Sequence, residues 1–234
     1  EWEQILKNKE IINFIKNQLK IIKIFSEGNI SGAIANNGKV WIWGSDIIKD
    51  TAIPYPLHSL INYNISEIIF NKKTAIFIDK NCCFPLKCMP NEYKINMLNE
   101  ELTNNEKVLQ VKSKYKHIVY LTETGNIYTC GNNSYGQLGI FSKSSLIPKK
   151  IVSLNDIKIT NIEVSRNTTF AISETGNVWG FGSNKNNELG LVLAEYSILP
   201  IKIEGLRNIK KIYTGSYHIF ALDKEEQLFG WGNN

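Results

Sequence analysis

Few residues in this chain could do chemistry, and most of them stand in recurring positions. His117 and His218 lie in two similar strands, Lys116-His117-Ile118-Val119-Tyr120-Leu121 and Tyr217-His218-Ile219-Phe220-Ala221-Leu222. A positioned histidine can act as a general base, or hold a metal when further ligands converge on it. Four cysteines, Cys82, Cys83, Cys88 and Cys130, could supply thiolates to a metal or pair as disulfides. The Asn132–Gly139 loop, Asn-Asn-Ser-Tyr-Gly-Gln-Leu-Gly, has the glycine content of a phosphate cradle.

None of these completes a reaction centre in the sequence. The position of His117 and His218 is filled by Thr74, Thr168 and Ile30 elsewhere in the chain, which fits one structural polar group per repeat, bonded to a neighbouring backbone. His58 is isolated and reads as a surface residue. The cysteines do not form two C-x-x-C pairs and no histidine is near them, so reduced free thiols are the simpler reading. The glycine-rich loop lacks a Lys-Ser/Thr ending and a following helix. No catalytic residue, metal or cofactor is expected, and the chain reads as a non-enzyme.

The elements that position these residues emerge from internal repetition. Glu123-Thr-Gly-Asn-Ile-Tyr-Thr-Cys-Gly-Asn-Asn-Ser-Tyr-Gly-Gln-Leu-Gly139 returns as Glu174-Thr-Gly-Asn-Val-Trp-Gly-Phe-Gly-Ser-Asn-Lys-Asn-Asn-Glu-Leu-Gly190. Units begin near Ile24, Ile68, Val111, Ile162 and Ile212, a period of roughly 43–51 residues. Each opens with an apolar strand and continues into a second, closing at Ile34, Ile78, Leu121, Ile172 or Leu222. A tight hairpin then turns on Gly38, Gly125 or Gly176, with Cys82 and Glu226 at that position in units two and five. A third strand follows (Val40–Trp43, Ile127–Cys130, Val178–Phe181, Leu228–Trp231), ending on Gly44, Gly131, Gly182 or Gly232, and on Cys88 in unit two. Glycine there predicts a backbone approach too close for a Cβ. Pro54, Pro56, Pro148 and Pro200 mark a fourth, outer strand, where a missing N–H is tolerated.

Each unit is therefore a four-stranded antiparallel sheet, the size and strand count of a propeller blade. Cys82 and Cys88 become small residues at glycine positions rather than metal ligands. The alternating Trp41, Trp43, Trp179 and Trp231 belong to third strands and to core packing; a stacking platform for single-stranded nucleic acid would need them exposed beside basic groups. The expected organisation is an N-terminal helical segment over residues 1–20, then a repeat array over 21–234.

These features resemble the RCC1 (regulator of chromosome condensation) repeat family. The resemblance rests on the His117 and His218 strands, the Thr-Gly-Asn hairpins and the Asn132–Gly139 loop. It is strongest in units three and four and weakest in two. It implies an all-β, RCC1-like β-propeller of about seven blades. WD repeats end in Trp-Asp and kelch repeats carry Gly-Gly, and neither pair stands here. Five units are present and the last lacks a fourth strand, so the expectation is an open arc in a fragment of a longer protein. The rival is a ring closed by Gln4-Ile5-Leu6.

In exchange factors of this family, the loop between the first two strands faces a small GTPase and carries acidic residues just before the repeat histidine. The matching positions here are Gly28-Asn29, Lys72-Lys73, Tyr115-Lys116, Arg166-Asn167 and Ser216-Tyr217, none of them acidic. With Lys114 they form a basic, tyrosine-bearing rim. The implied function is a protein–protein interaction scaffold inside a larger intracellular protein, cytoplasmic or nuclear. The alternative is a guanine-nucleotide exchange factor for a Ran-like GTPase, associated with chromatin. Partners follow from the rim: an acidic protein or a small GTPase first, nucleic acid or chromatin second. The net charge of +5 and pI near 8.9 add little, since lysine is abundant throughout and Arg166 and Arg207 are the only arginines.

Overall fold

The computed structural model describes residues 20–44, 51–60, 62–71, 74–79, 86–88, 95–97, 106–191 and 194–233. The predicted N-terminal helix, Gln4-Ile5-Leu6, Lys72, Lys73, Cys82 and Cys83 lie outside them. Nineteen strands and two short 3-10 turns make up the regular structure of the described residues. Among these residues no helix is long and apolar enough to cross a membrane.

The strands fall into successive antiparallel sheets, each wound in chain order. Blade one holds β1 (Ile21–Glu27), β2 (Ile30–Ala35), β3 (Val40–Gly44) and β4 (Thr51–Pro56). Blade two holds β5 (Ile65–Asn71), β6 (Thr74–Asp79), β7 (Leu86–Cys88) and β8 (Ile95–Met97). Blade three holds β9 (Val108–Lys114), β10 (His117–Thr122), β11 (Ile127–Gly131) and β12 (Ser145–Lys150). Blade four holds β13 (Ile159–Val164), β14 (Thr168–Ser173), β15 (Val178–Ser183) and β16 (Tyr196–Lys202). Blade five holds β17 (Ile209–Thr214), β18 (His218–Asp223) and β19 (Leu228–Gly232). The proline-marked segments are outer strands, as their missing N–H requires: Pro54 in β4, Pro148 in β12 and Pro200 in β16.

The chain divides into two compact units, residues 1–98 and 99–234. In the first, Ile34, Val40 and Ile42 of blade one pack on Ile65, Ile68 and Phe77 of blade two. Phe25 is the β1 side chain on this core, whereas Ile24, the predicted opening core residue, is 71% exposed on the other face of the strand. In the second unit, Val119, Leu121 and Ile127 of blade three meet Ile162, Val164 and Phe181 of blade four. Phe170, Ile172 and Val178 of blade four in turn meet Ile209, Ile212 and Ile219 of blade five. Each core is thus an interface between successive blades, and stability comes from nearest-neighbour packing.

Every residue of β10 and β14 is buried, their polar ends included, and β14 has blade three packed on one face and blade five on the other. In β18 burial alternates, and His218 and Phe220 stand exposed with their rings 5.9 Å apart.

The glycines at third-strand ends have the predicted cause. A Cβ on Gly131, Gly182 or Gly232 would lie 2.3 Å from the carbonyl oxygen of Lys116, Asn167 or Tyr217, and one on Gly44 would lie 1.9 Å from that of Asn29. All four have φ between +99° and +119°. The approaching backbone is in every case the loop between the first two strands. The same carbonyls of Lys116, Asn167 and Tyr217 accept hydrogen bonds from the amides of Asn132, Ser183 and Asn233 at 2.9 Å. The glycine therefore anchors the loop that carries the candidate site. At the hairpin position Glu226 replaces glycine and keeps its left-handed φ of +65°.

Candidate functional site

Three of those anchored loops meet in the second unit. Tyr115 and Lys116 come from the β9–β10 loop, Arg166 and Asn167 from β13–β14, and Tyr217 from β17–β18. They line one cleft of about 620 Å³. Asn132, Ser134 and Tyr135, which follow β11, and Ser183, Lys185 and Asn186, which end and follow β15, complete its walls.

Arg166 is the centre of the cleft. Its guanidinium lies 4.8 Å from the Tyr115 ring centroid and 5.6 Å from that of Tyr217. Its Nη1 also donates to the Tyr217 hydroxyl. A hydrogen bond to Tyr115, with the electrostatic interaction of Tyr217, holds its pKa above the ordinary arginine value, so it is cationic at any working pH. The Lys116 ammonium sits 5.1 Å from the Tyr115 ring, and the Lys185 ammonium 5.4 Å from the Tyr135 ring. Cations over tyrosine faces are attracted by the ring quadrupole. Tyr115 itself takes a left-handed φ of +59°, uncommon outside glycine and costly for a bulky residue.

Among the described residues no carboxylate lines the cleft. Glu188 lies close in sequence, but its oxygens accept from the Asn186 backbone amide at 2.8 Å and side-chain amide at 3.2 Å, and it is buried. Lys185 has a loose ion pair with Glu195 at 3.8 Å, both ends exposed. Among the described residues neither Lys116 nor Arg166 forms an ion pair.

The remaining rim residues go elsewhere. Lys114 turns its ammonium onto the Thr214 and Gly215 carbonyls at 3.2 and 3.3 Å, tying blade three to blade five. Ser216 is exposed and does not line the cleft. The two histidines separate. His117 is fully buried, with Nε2 3.0 Å from Thr169 Oγ1 of the next blade. It thus meets a neighbouring side chain rather than the expected backbone group, and Thr169 Oγ1 donates onward to the Gln137 carbonyl at 2.8 Å. Burial lowers its pKa to about 4, so it is neutral at pH 7. Thr168, at the same repeat position, donates instead to the Ser183 carbonyl within its own blade. Cys130 is buried, with its sulfur 3.9 Å from the Tyr120 hydroxyl. Among the described residues no three His, Cys, Asp or Glu side chains converge as metal ligands.

The connecting loop, read from the sequence as punctuation, also contributes cleft wall. Asn133 Oδ1 accepts from the Leu138 amide, and its Nδ2 donates to the Ile140 and Ser142 carbonyls, so the loop closes on itself. Asn184 does the same in blade four with Leu189, Leu191 and Ala194. These rigid loops present Tyr135 and Lys185 to the cleft. Their pairing could be anticipated only from the repeat alignment, which sets Tyr135 one position after the counterpart of Lys185.

Two family models described as the Regulator of chromosome condensation (RCC1) repeat match this chain, one over residues 124–172 and 175–222 and the other over 108–137. Residues 108–172 and 175–222 are RCC1 repeats. A human relative, the probable E3 ubiquitin-protein ligase HERC6, is 31% identical over 131 residues, covering 54% of this chain and 13% of the relative. The ultraviolet-B receptor UVR8 of Arabidopsis thaliana is 30% identical over 131 residues, covering 55% and 30%. The matches thus span 13% to 30% of the length of these relatives. Among solved structures, human WBSCR16 superposes with a TM-score of 0.78 at 16% identity, covering 91% of this chain and 62% of that one. Prp20p of Saccharomyces cerevisiae, whose structure is described with its binding to Gsp1p and histones, gives 0.75 at 17% identity, covering 96% and 61%. The fold of this chain is accordingly an RCC1-type β-propeller fold.

Proposed function

We propose that this RCC1-like chain is a protein-interaction scaffold, and that it engages an acidic protein partner through the Tyr115–Arg166–Tyr217 face. The observation that carries this reading is the convergence of three cations and three tyrosines from successive blades in one cleft with no lining carboxylate. Tyrosine and arginine are the residue types that dominate interface energetics, and rigid sheets hold them in place. No pair of groups in the cleft has the geometry of nucleophile and base, so the scaffold needs no chemistry of its own. Within a longer intracellular protein, such a module would bring a partner to whatever the flanking regions do.

The test compares the proteins that co-purify with the full-length protein and with its Lys116→Glu/Arg166→Glu/Lys185→Glu variant. A partner lost from the variant, and lost from the native protein as salt is raised, supports the reading. Identical sets from the two proteins overturn it.

A second reading is favoured by the likeness to Prp20p, whose structure is described with its binding properties to Gsp1p and histones. In it, this face loosens nucleotide from a Ran-like GTPase. The first-to-second-strand loops carry no acidic residue, which weighs against it. Release of labelled GDP from a Ran-like GTPase decides: no acceleration is expected, and acceleration by the full-length protein would establish exchange.

A further inference from the structure

The cleft has features that acidic-surface complementarity alone does not require. We infer that it takes a phosphorylated side chain on a segment of the protein partner; this rests on the preceding reading of the face as a protein-contact surface. Arg166 is held between Tyr115 and Tyr217 before any ligand arrives. A guanidinium has five N–H donors, and two tyrosine hydroxyls accept from this one, so donors remain on a side chain that lines the cleft. Its orientation is fixed in advance, so binding costs little further side-chain ordering.

The number of cations separates phosphate from carboxylate. Lys116, Arg166 and Lys185 come from three loops and surround one space of about 620 Å³. A carboxylate offers one negative charge and two oxygens. A phosphomonoester offers close to two charges and three acceptor oxygens, enough to engage the fork of Arg166 and a lysine together. Among the described residues the one ion pair at the cleft, Lys185–Glu195, is long and exposed, and an arriving dianion displaces it at little cost. The Asn167 amide, with the Asn132 Nδ2 and Asn186 Oδ1 that their own loops do not use, can receive the backbone of the partner. A nucleic-acid strand would instead want cations laid out in a row at phosphate spacing; here three loops bring them to the walls of one cleft.

The test uses the full-length protein on immobilised degenerate peptide libraries. Their fixed central residue is phosphoserine, phosphothreonine or phosphotyrosine, with unphosphorylated and Glu-centred libraries and poly(U) RNA as further arms. Retention on a phosphorylated library above its unphosphorylated and Glu-centred counterparts is expected. Removing a charge-assisted pair in Arg166→Ala should then weaken a selected phosphopeptide about tenfold to a hundredfold. Lys185→Ala, an exposed position that carries no core packing, should weaken it by a smaller factor, so loss of binding does not depend on a variant that disturbs Tyr217. Arg166→Lys should restore only part, because an ammonium lacks the planar fork. Equal retention on Glu-centred and phosphorylated libraries overturns the phosphate inference and leaves the acidic-partner reading standing. Displacement by inorganic phosphate at the peptide's own concentration marks a free-phosphate site and also overturns it. Retention on RNA alone, or on no library, overturns it as well.

Discussion

Replacing Gly182 with alanine would place a methyl carbon 2.3 Å from the Asn167 carbonyl oxygen and 2.9 Å from Thr168 Cα. No Cβ tolerates those contacts, so the backbone before β14 must move. Two costs combine. A φ of +107° is foreign to alanine and costs about 1–3 kcal/mol. Pushing aside a packed backbone costs about 1–3 kcal/mol more. Fewer unfolded conformations return about 0.5–1 kcal/mol. A net loss of about 3 kcal/mol is expected, read as a fall in the urea midpoint at unchanged slope. Gly190→Ala is the control: its φ is +67° but nothing lies within 4 Å of the added carbon, so it should lose only about 1 kcal/mol. The displaced carbonyl also accepts from the Ser183 amide and adjoins Arg166, so Gly182→Ala should weaken partner binding while Gly190→Ala leaves it intact. Equal losses from the two variants, or a Gly182→Ala loss below about 1 kcal/mol, would refute the claim that the third-strand glycine exists to seat the loop.

Other consequences concern pH and turn strain. His117 titrates near 6.5 when unfolded and about 4 when folded. The unfolded state therefore binds the extra proton between those values, and stability should fall as pH drops from 6.5 to 4 by about 3 kcal/mol in total. His117→Gln should flatten that part of a urea-midpoint-versus-pH curve; an unchanged slope would contradict burial of neutral imidazole. Burial pushes the Glu106 carboxyl up, but hydrogen bonds from Thr122, Thr124 and Asn126, with the Lys150 charge, outweigh it and hold its pKa below the ordinary value. Its contribution should persist above the ordinary glutamate range and disappear as pH falls through the lowered folded value, a step missing from Glu106→Gln. Glu226→Gly should raise the urea midpoint, by about 0.5–1 kcal/mol, because it relieves the left-handed strain at a blade-five turn. A lower midpoint would mean that the Glu226 side chain contributes more than its backbone costs.

The blades were legible because their signals are local and repeated. Gly44, Gly131, Gly182 and Gly232 announce a close backbone approach, and each meets the loop ten or more residues upstream that it accommodates. The apolar stretches Ile118–Leu121 and Phe170–Ile172 lie inside strands that are buried along their whole length. The site was only half legible. Tyr115, Lys116, Arg166, Asn167 and Tyr217 could be aligned as loop residues, but their meeting depends on how blades stack, which no single unit encodes. Lys114 shares the rim with Lys116 in the sequence but not in the fold: it ends β9, and its ammonium reaches the Thr214 and Gly215 carbonyls. Tyr135 and Lys185 were overlooked because their loops also close the blades, and one segment serves both purposes. The histidines misled in the other direction. Their shared repeat position suggested a shared role, but a neighbouring sheet buries His117 while His218 stands exposed.

The cleft itself is most directly tested by photo-crosslinking. A photo-reactive phenylalanine analogue replaces Tyr135 in the full-length protein, and a second protein carries it at Phe141, 78% exposed outside the cleft. The account predicts a covalent protein adduct from position 135 that is absent from 141 and disappears when Arg166→Glu is added. Adducts of equal yield from both positions, or an adduct at 135 that survives Arg166→Glu, would contradict it.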